Sequence, residues 1–292
     1  MFSYDSLFNC LLDTRVRYVS VPRTVLNWFK NRGAMYSIFS VKEVKRDYKK
    51  SDTIFVLGSG ESINGITKED WDHIAKYDSF GMNWWPVHWF VPTFYYSSFP
   101  RQKIYFEYFC SIIGSKIRGY YNTVFFVSSN RAARRGIHPR ILPDFFHSMQ
   151  LVCFYEYEEP IRLKKGEFFS EETFKNKIYY RGGLSLVLDL INKMGYKNIV
   201  LLGVDLTKSN HFYDRYPEMQ WQFETGYRKA VDEKLYSPHP TMDTKNGSKV
   251  PIDRYIYAVQ DLYFKTRGII IYVGSHKSIL AERLPIYNFS DT

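Results

Sequence analysis

A histidine between two prolines, His239 in Pro238-His-Pro240, and a serine between two glycines, Ser59 in Gly58-Ser-Gly60, carry the settings most suggestive of chemistry in this 292-residue chain. An imidazole titrates near neutrality, and a turn-rich loop keeps it out of the core, so His239 suits a general base that takes a proton from an acceptor hydroxyl. The alternative is an exposed loop histidine without a role. His211 is the second candidate base and His276 a candidate phosphate contact; His73, His88, His138 and His147 read as structural. The Gly58-Ser-Gly60 turn follows the apolar run Thr53–Leu57 and precedes Thr67-Lys-Glu-Asp70. Small residues let backbone N–H groups approach a ligand, and the positive end of a following helix favours an anion, so Gly58 through Ser62 reads as a phosphate-sized loop. It matches neither G-x-G-x-x-G nor G-x-x-x-x-G-K-[ST], and a plain strand-to-helix turn would carry similar residues.

Three further groups belong with these. Arg181 precedes a helix start at Gly182-Gly183, where it would meet a carboxylate or phosphate, or would be an ordinary surface arginine. Asp205 is an isolated acid at the end of the run Asn198–Gly203, placed to orient the site or cap a turn rather than to bind a metal. The one Asp-x-Asp text, Asp70-Trp-Asp72, falls in the first turn of a helix predicted over Thr67–Lys76, where acids answer the helix dipole. That position argues for chemistry without a metal and leaves no metal ligands to name.

The elements that must position these residues alternate. Strands are predicted at Thr53–Leu57, Ser79–Asn83, Pro92–Tyr96, Thr123–Val127, Asn198–Gly203 and Gly268–Val273, and helices at Thr67–Lys76, within 101–120, at Leu184–Met194 with Gly195 as its stop, and across Ile252–Thr266. This order argues for an α/β fold with a single Rossmann-like parallel sheet flanked by helices. Ligands bind beyond the carboxyl ends of such strands, so Ser59, Asn83 and Ser97 would converge there; ordinary turn chemistry accounts for any one of them. The mixed stretch 131–178 reads as an irregular insertion or lid on the 51–292 domain, and Asn130–Arg135 as either a solvated basic face or a phosphate contact.

Composition bounds the rest. With 45% hydrophobic and 24% charged residues the chain reads as globular, and no apolar run reaches the roughly 18 residues a membrane span needs. The start lacks an export signal, which implies a cytoplasmic location, peripheral at the inner face of the membrane if the leader attaches there. Cys10, Cys110 and Cys153 have no metal spacing and read as reduced thiols. Of the net charge of +10, residues 1–50 hold +6, from ten Lys/Arg against four acids. This basic, aromatic extension would either rest on anionic lipid headgroups or pack on its own domain. No nucleic-acid motif accompanies the charge, so no nucleic-acid partner is implied.

The distributed segments Val56-Leu-Gly-Ser-Gly-Glu-Ser-Ile63, Phe80-Gly-Met-Asn83, Gly195 through Asp205, Tyr213, His239 and Ser278-Ile-Leu280, spanning about residues 53 to 285, resemble the bacterial lipo-oligosaccharide sialyltransferases of glycosyltransferase family 42. The resemblance implies a GT-A-like variant of the fold and an inverting, metal-independent transfer of an acidic sugar such as sialic acid or Kdo from a CMP donor to a bacterial surface glycan or glycolipid. No cofactor beyond the donor substrate is implied, and a homo-oligomer is compatible with it. Gly58, Ser59, Gly60, Ser62 and Asn83 would hold the donor, with Ser278 in the matching set. Tyr213 would stabilise the departing phosphate, with Thr207 standing where a second tyrosine is usual. Ser59 replaces the family's usual asparagine, as does the residue type near Ser97, which points to altered donor contacts. Another activated sugar, a phosphoribosyl donor, or a non-catalytic nucleotide- or glycan-binding module are the alternatives on the same fold.

Overall fold

The computed structural model describes residues 41–97, 100, 103–128, 150–157, 176–178, 180–207, 210–225, 239–242 and 250–289. Its frame is one all-parallel sheet of β1 (Thr53–Leu57), β2 (Asp78–Met82), β3 (Phe94–Ser97), β4 (Val124–Ser128), β5 (Gln150–Tyr157), β6 (Asn176–Ile178), β7 (Asn198–Leu202) and β8 (Ile270–Val273). The strand order is β6-β5-β4-β3-β2-β1-β7-β8. The chain thus runs outward from β1 in one direction and returns to pair β7 on its other side. That reversal makes the crevice above β1 and β7 the place where an open α/β sheet binds its ligand.

The central strands β1 and β7 are near-continuous apolar runs because both faces are covered. In β1, Ile54 and Val56 enter one core while Phe55 and Leu57 enter the other; in β7, Ile199 and Leu201 part from Val200 and Leu202 in the same way. The period of two along a strand sends neighbours to opposite faces, so a strand buried on both faces shows no polar alternation. The first face is covered by α1 (Val41–Tyr48), α5 (Gly183–Met194) and α6 (Ile252–Val259). The second carries α2 (Lys68–Ile74) and α3 (Lys103–Ser115), with a dense aromatic cluster of Trp71, Trp84, Trp85 and Trp221.

Local chemistry sets several boundaries. Thr67 and Asp70 close a reciprocal capping box on α2, as their spacing predicts. Gly195 ends α5 in the left-handed region at φ 77°. The helix predicted within 101–120 divides into α3 and α4 (Ile117–Tyr120), and Lys116 between them turns back to donate to the carbonyls of Pro86, Val87 and His88 at 2.7, 2.8 and 3.1 Å. The long helix predicted to Thr266 stays α-helical only to Val259. It continues as a π-helical turn over Gln260–Phe264, where the Gln260 side chain accepts from Ile271 N at 2.8 Å and donates to Ile269 O at 3.1 Å, tying the turn to β8.

The stretch 131–178, expected to be irregular, contributes β5 and β6 to the sheet. The rest of it, Asn130–Arg135 included, lies outside the described residues, as do residues 1–40 of the basic extension. Residues 41–48 pack on the domain, with Val41 and Val44 buried. Among the described residues no helix is long and apolar enough to cross a membrane.

Candidate active site

Beyond the sheet, the ends of β1 and β7 continue side by side. Gly58 N donates to Leu202 O and Gly60 N to Gly203 O, each at 2.7 Å. A Cβ on Gly58 would lie 2.4 Å from Gly203 O, and one on Gly60 2.4 Å from Asp205 Oδ2. The glycines are therefore demanded by contact between two strand ends. Both amides are spent on protein carbonyls rather than offered to a phosphate, and the turn leads into a short 3-10 segment, Glu61–Gly65, before α2 begins. Asp205 accepts from Ser62 N at 2.9 Å and from Ser62 Oγ, so this acid and serine lock the two strand ends to each other.

A cavity of about 260 Å³ opens at this junction. Gly58, Ser59, Gly60 and Asn83 line it from β1 and β2, Gly203 to Leu206 from β7, and Gly182 to Leu184 from the start of α5; Asn210, His211, His239 and Thr241 add polar groups to the wall, and Met82, Tyr96 and Ile252 complete it. Three non-glycine residues with positive φ surround it: Asn83 at 56°, Leu206 at 61°, and Arg181 at 55°, next to Gly182. Left-handed backbone at such residues costs free energy and gathers where geometry is over-determined by a site. The Tyr95 hydroxyl donates to Asn83 O and anchors that bend; burial pushes its pKa well above the usual phenol value, so it remains a donor.

The start of α5 is the site's electropositive feature. Gly182 at the N-cap supplies no side-chain acceptor, and Ser185 Oγ is engaged with Gly182 O at 3.0 Å and Tyr180 N at 2.7 Å. The first-turn amides of a 12-residue helix thus meet the cavity without a capping side chain. Beside them, where Thr241 Cγ2 lies 3.6 Å from the Cβ position of Gly182, His239 is fixed through Nδ1, which lies 2.7 Å from Thr241 Oγ1 and accepts from Thr241 N at 3.3 Å. Arg181 donates to Thr241 O at 3.0 Å and to Val250 O at 3.4 Å, so it buttresses the histidine turn. His211 also lines the wall, with its Nδ1 3.9 Å from Asp214 Oδ2.

The fold thus brings Gly58, Ser59, Gly60, Asn83, Gly182, Gly183, Asp205, His211 and His239 together. The other candidates lie outside the lining. Tyr213 is 2% exposed within the aromatic core, beside Phe212. Ser97 is buried, Thr207 and His276 are exposed, and Ser62 faces Asp205. Ser278 Oγ donates to Val204 O at 2.6 Å and caps a 3-10 turn behind the strand end. Asn210 and Thr241 were not legible as site residues, since a lone asparagine or threonine in a loop has no distinguishing spacing. Among the described residues no group of three or more His, Cys, Asp or Glu could hold a metal ion, and Asp70 is committed to its capping box.

No family model matches the chain, and no curated protein matches it. Among solved structures, it is similar to the crystal structure of the monofunctional alpha-2,3-sialyltransferase Cst-I from Campylobacter jejuni. The two are 17% identical, with 88% of this chain and 85% of that chain covered and a TM-score of 0.49.

Proposed function

We propose that the chain is a glycosyltransferase that moves an acidic sugar from a CMP-linked donor to a glycan acceptor, with inversion and without a metal. The observation that carries this reading is the cavity at the β1/β7 reversal, where uncapped helix amides and a fixed histidine face one space. Amides at the positive end of a helix suit an anion, either the donor phosphate or the sugar's carboxylate. The Thr241 amide donates to His239 Nδ1 at 3.3 Å, so the neutral ring carries its proton on Nε2, and a shift of that proton precedes any role of Nε2 as the base.

In the reaction, His239 takes the proton of the acceptor hydroxyl as that oxygen bonds to the anomeric carbon. The bond from that carbon to the phosphate oxygen breaks, and the nucleotide leaves with the electron pair. The buried Tyr213 hydroxyl is not in the cavity wall, so a role for it on the leaving phosphate requires the aromatic core to open. The placement of His211 beside Asp214 favours it as the alternative base.

Donor turnover separates these. CMP release from CMP-sialic acid and CMP-Kdo, with and without glycan acceptors, is measured for the native chain, His239→Ala and His211→Ala. The expected result is loss of transfer by about 100-fold or more in His239→Ala alone. Full turnover in His239→Ala sinks the assignment of the base, and the absence of turnover or binding with any activated sugar sinks the transferase reading.

A further inference from the structure

Two residues that line the cavity each carry a polar atom with no hydrogen-bond partner among the described residues, Ser59 Oγ and Asn210 Oδ1, both shielded from solvent, so a ligand group reaches them only as their side chains turn toward the cavity. They share one wall because the 210–212 segment pairs antiparallel with the 59–60 turn, through a Gly60–His211 bridge and a Phe212 N to Ser59 O bond of 3.0 Å. Neighbouring polar groups on that wall are already engaged: the Asp205 carboxylate holds Ser62, and the Gly58 and Gly60 amides hold sheet carbonyls. Buried polar atoms are nearly always paired, and one left unpaired costs free energy that a ligand group can recover. The start of α5, which also lines the cavity, offers amide donors. The cavity lining therefore combines donors suited to an anion with an unpaired hydroxyl and an unpaired amide oxygen.

We propose that Asn210, with Ser59, binds a sugar hydroxyl of the ligand. A hydroxyl both donates and accepts, so one such group satisfies an amide oxygen and a serine hydroxyl together. A second anion does not fit, because the amide oxygen and the adjacent Asp205 carboxylate would repel it. The inference rests on the donor reading above and adds a specificity-determining residue to it. The hydroxyl belongs either to the nucleotide's ribose or to the transferred sugar, and the chemistry demanded of it is the same.

The test uses the full chain, with calorimetric titration of CMP, UMP, GMP and AMP, the 2′- and 3′-deoxy forms of whichever binds, and the matching nucleotide sugars. The native chain, Ser59→Ala, Asn210→Ala and Asn210→Leu are compared. For a ribose hydroxyl, the native chain prefers the ribonucleotide over a deoxy form by about tenfold, and the preference falls toward one in Asn210→Ala. For a hydroxyl of the transferred sugar, Asn210→Ala weakens the nucleotide sugar by a similar factor and leaves the monophosphate unchanged. Melting of the ligand-free proteins is the second readout. Removing an unpaired amide leaves the melting temperature of Asn210→Ala or Asn210→Leu equal to or above native, whereas an asparagine with a structural task lowers it. Two results overturn the inference while the donor reading stands: variants that bind every ligand as the native chain does, or Asn210 variants that melt well below it. Failure of the native chain to bind any nucleotide or nucleotide sugar overturns both.

Discussion

Replacing Gly58 by alanine tests whether the glycine turn exists for strand contact. The added Cβ would sit 2.4 Å from Gly203 O, 2.9 Å from Gly203 C and 3.0 Å from Val204 Cγ2. The first two are backbone atoms of the adjoining strand end, so no side-chain rotation relieves them. Restoring ordinary contact requires about 1 Å of separation, which also breaks the 2.7 Å bond from Gly58 N to Leu202 O. Overpacking costs about 1–3 kcal/mol and the lost hydrogen bond about 1 kcal/mol, so the expected loss is roughly 2–4 kcal/mol. For a domain of this size that is a fall in melting temperature on the order of 10 °C.

Two other glycines isolate the cause. Gly268 has φ +65° and nothing within 4 Å of its Cβ position, so Gly268→Ala carries conformational strain alone, about 1 kcal/mol. Gly65 also has nothing within 4 Å and no positive φ, so Gly65→Ala is within about 0.5 kcal/mol of native. Urea titration at constant m-value ranks the three. If Gly58→Ala unfolds at the same urea concentration as Gly65→Ala, the contact argument is refuted.

Two further expectations concern the aromatic face. Lys116→Met deprives the carbonyls of Pro86, Val87 and His88 of their common donor, and chemical unfolding registers a loss of about 1–3 kcal/mol; a loss no greater than that of an exposed lysine contradicts it. His88 is 5% exposed, and burial, assisted by the Lys116 charge, pushes its pKa down to about 4. Phe90 N donates to its Nδ1 at 3.1 Å, a bond the imidazolium cannot accept. The unfolded chain binds this proton at about pH 6.5 and the folded one only near 4, so the contribution is complete above 6.5. It is lost as pH falls from 6.5 to 4, by roughly 3 kcal/mol. His88→Asn, whose amide oxygen can still accept from Phe90 N, should flatten the pH dependence of stability in that window; an unchanged slope there contradicts the assignment.

Much of the frame is legible along the chain. The runs Thr53–Leu57 and Asn198–Leu202 declare buried parallel strands because they lack polar alternation. Thr67 with Asp70 declares a helix start and Gly195 a helix stop, since these are interactions between residues a few positions apart. His239 stands out by its prolines, and the cavity does include it. Strands β5 and β6 were missed because the residues around them are mixed in composition, and their pairing partners, β4 for β5 and β5 for β6, lie about twenty residues earlier in the chain.

The information carried along the chain is therefore local: which segments are strand or helix, and which residue types have chemistry to offer. How they are used follows from the packing of distant segments. The reversal of strand order places β7 beside β1, and that neighbour, not a ligand, consumes the Gly58 and Gly60 amides. Arg181 becomes a support for the His239 turn, Tyr213 enters the core, and the unremarked Asn210 faces the cavity. A side chain's task depends on which distant backbone lies within 3 Å of it, and that distance is a property of the folded chain.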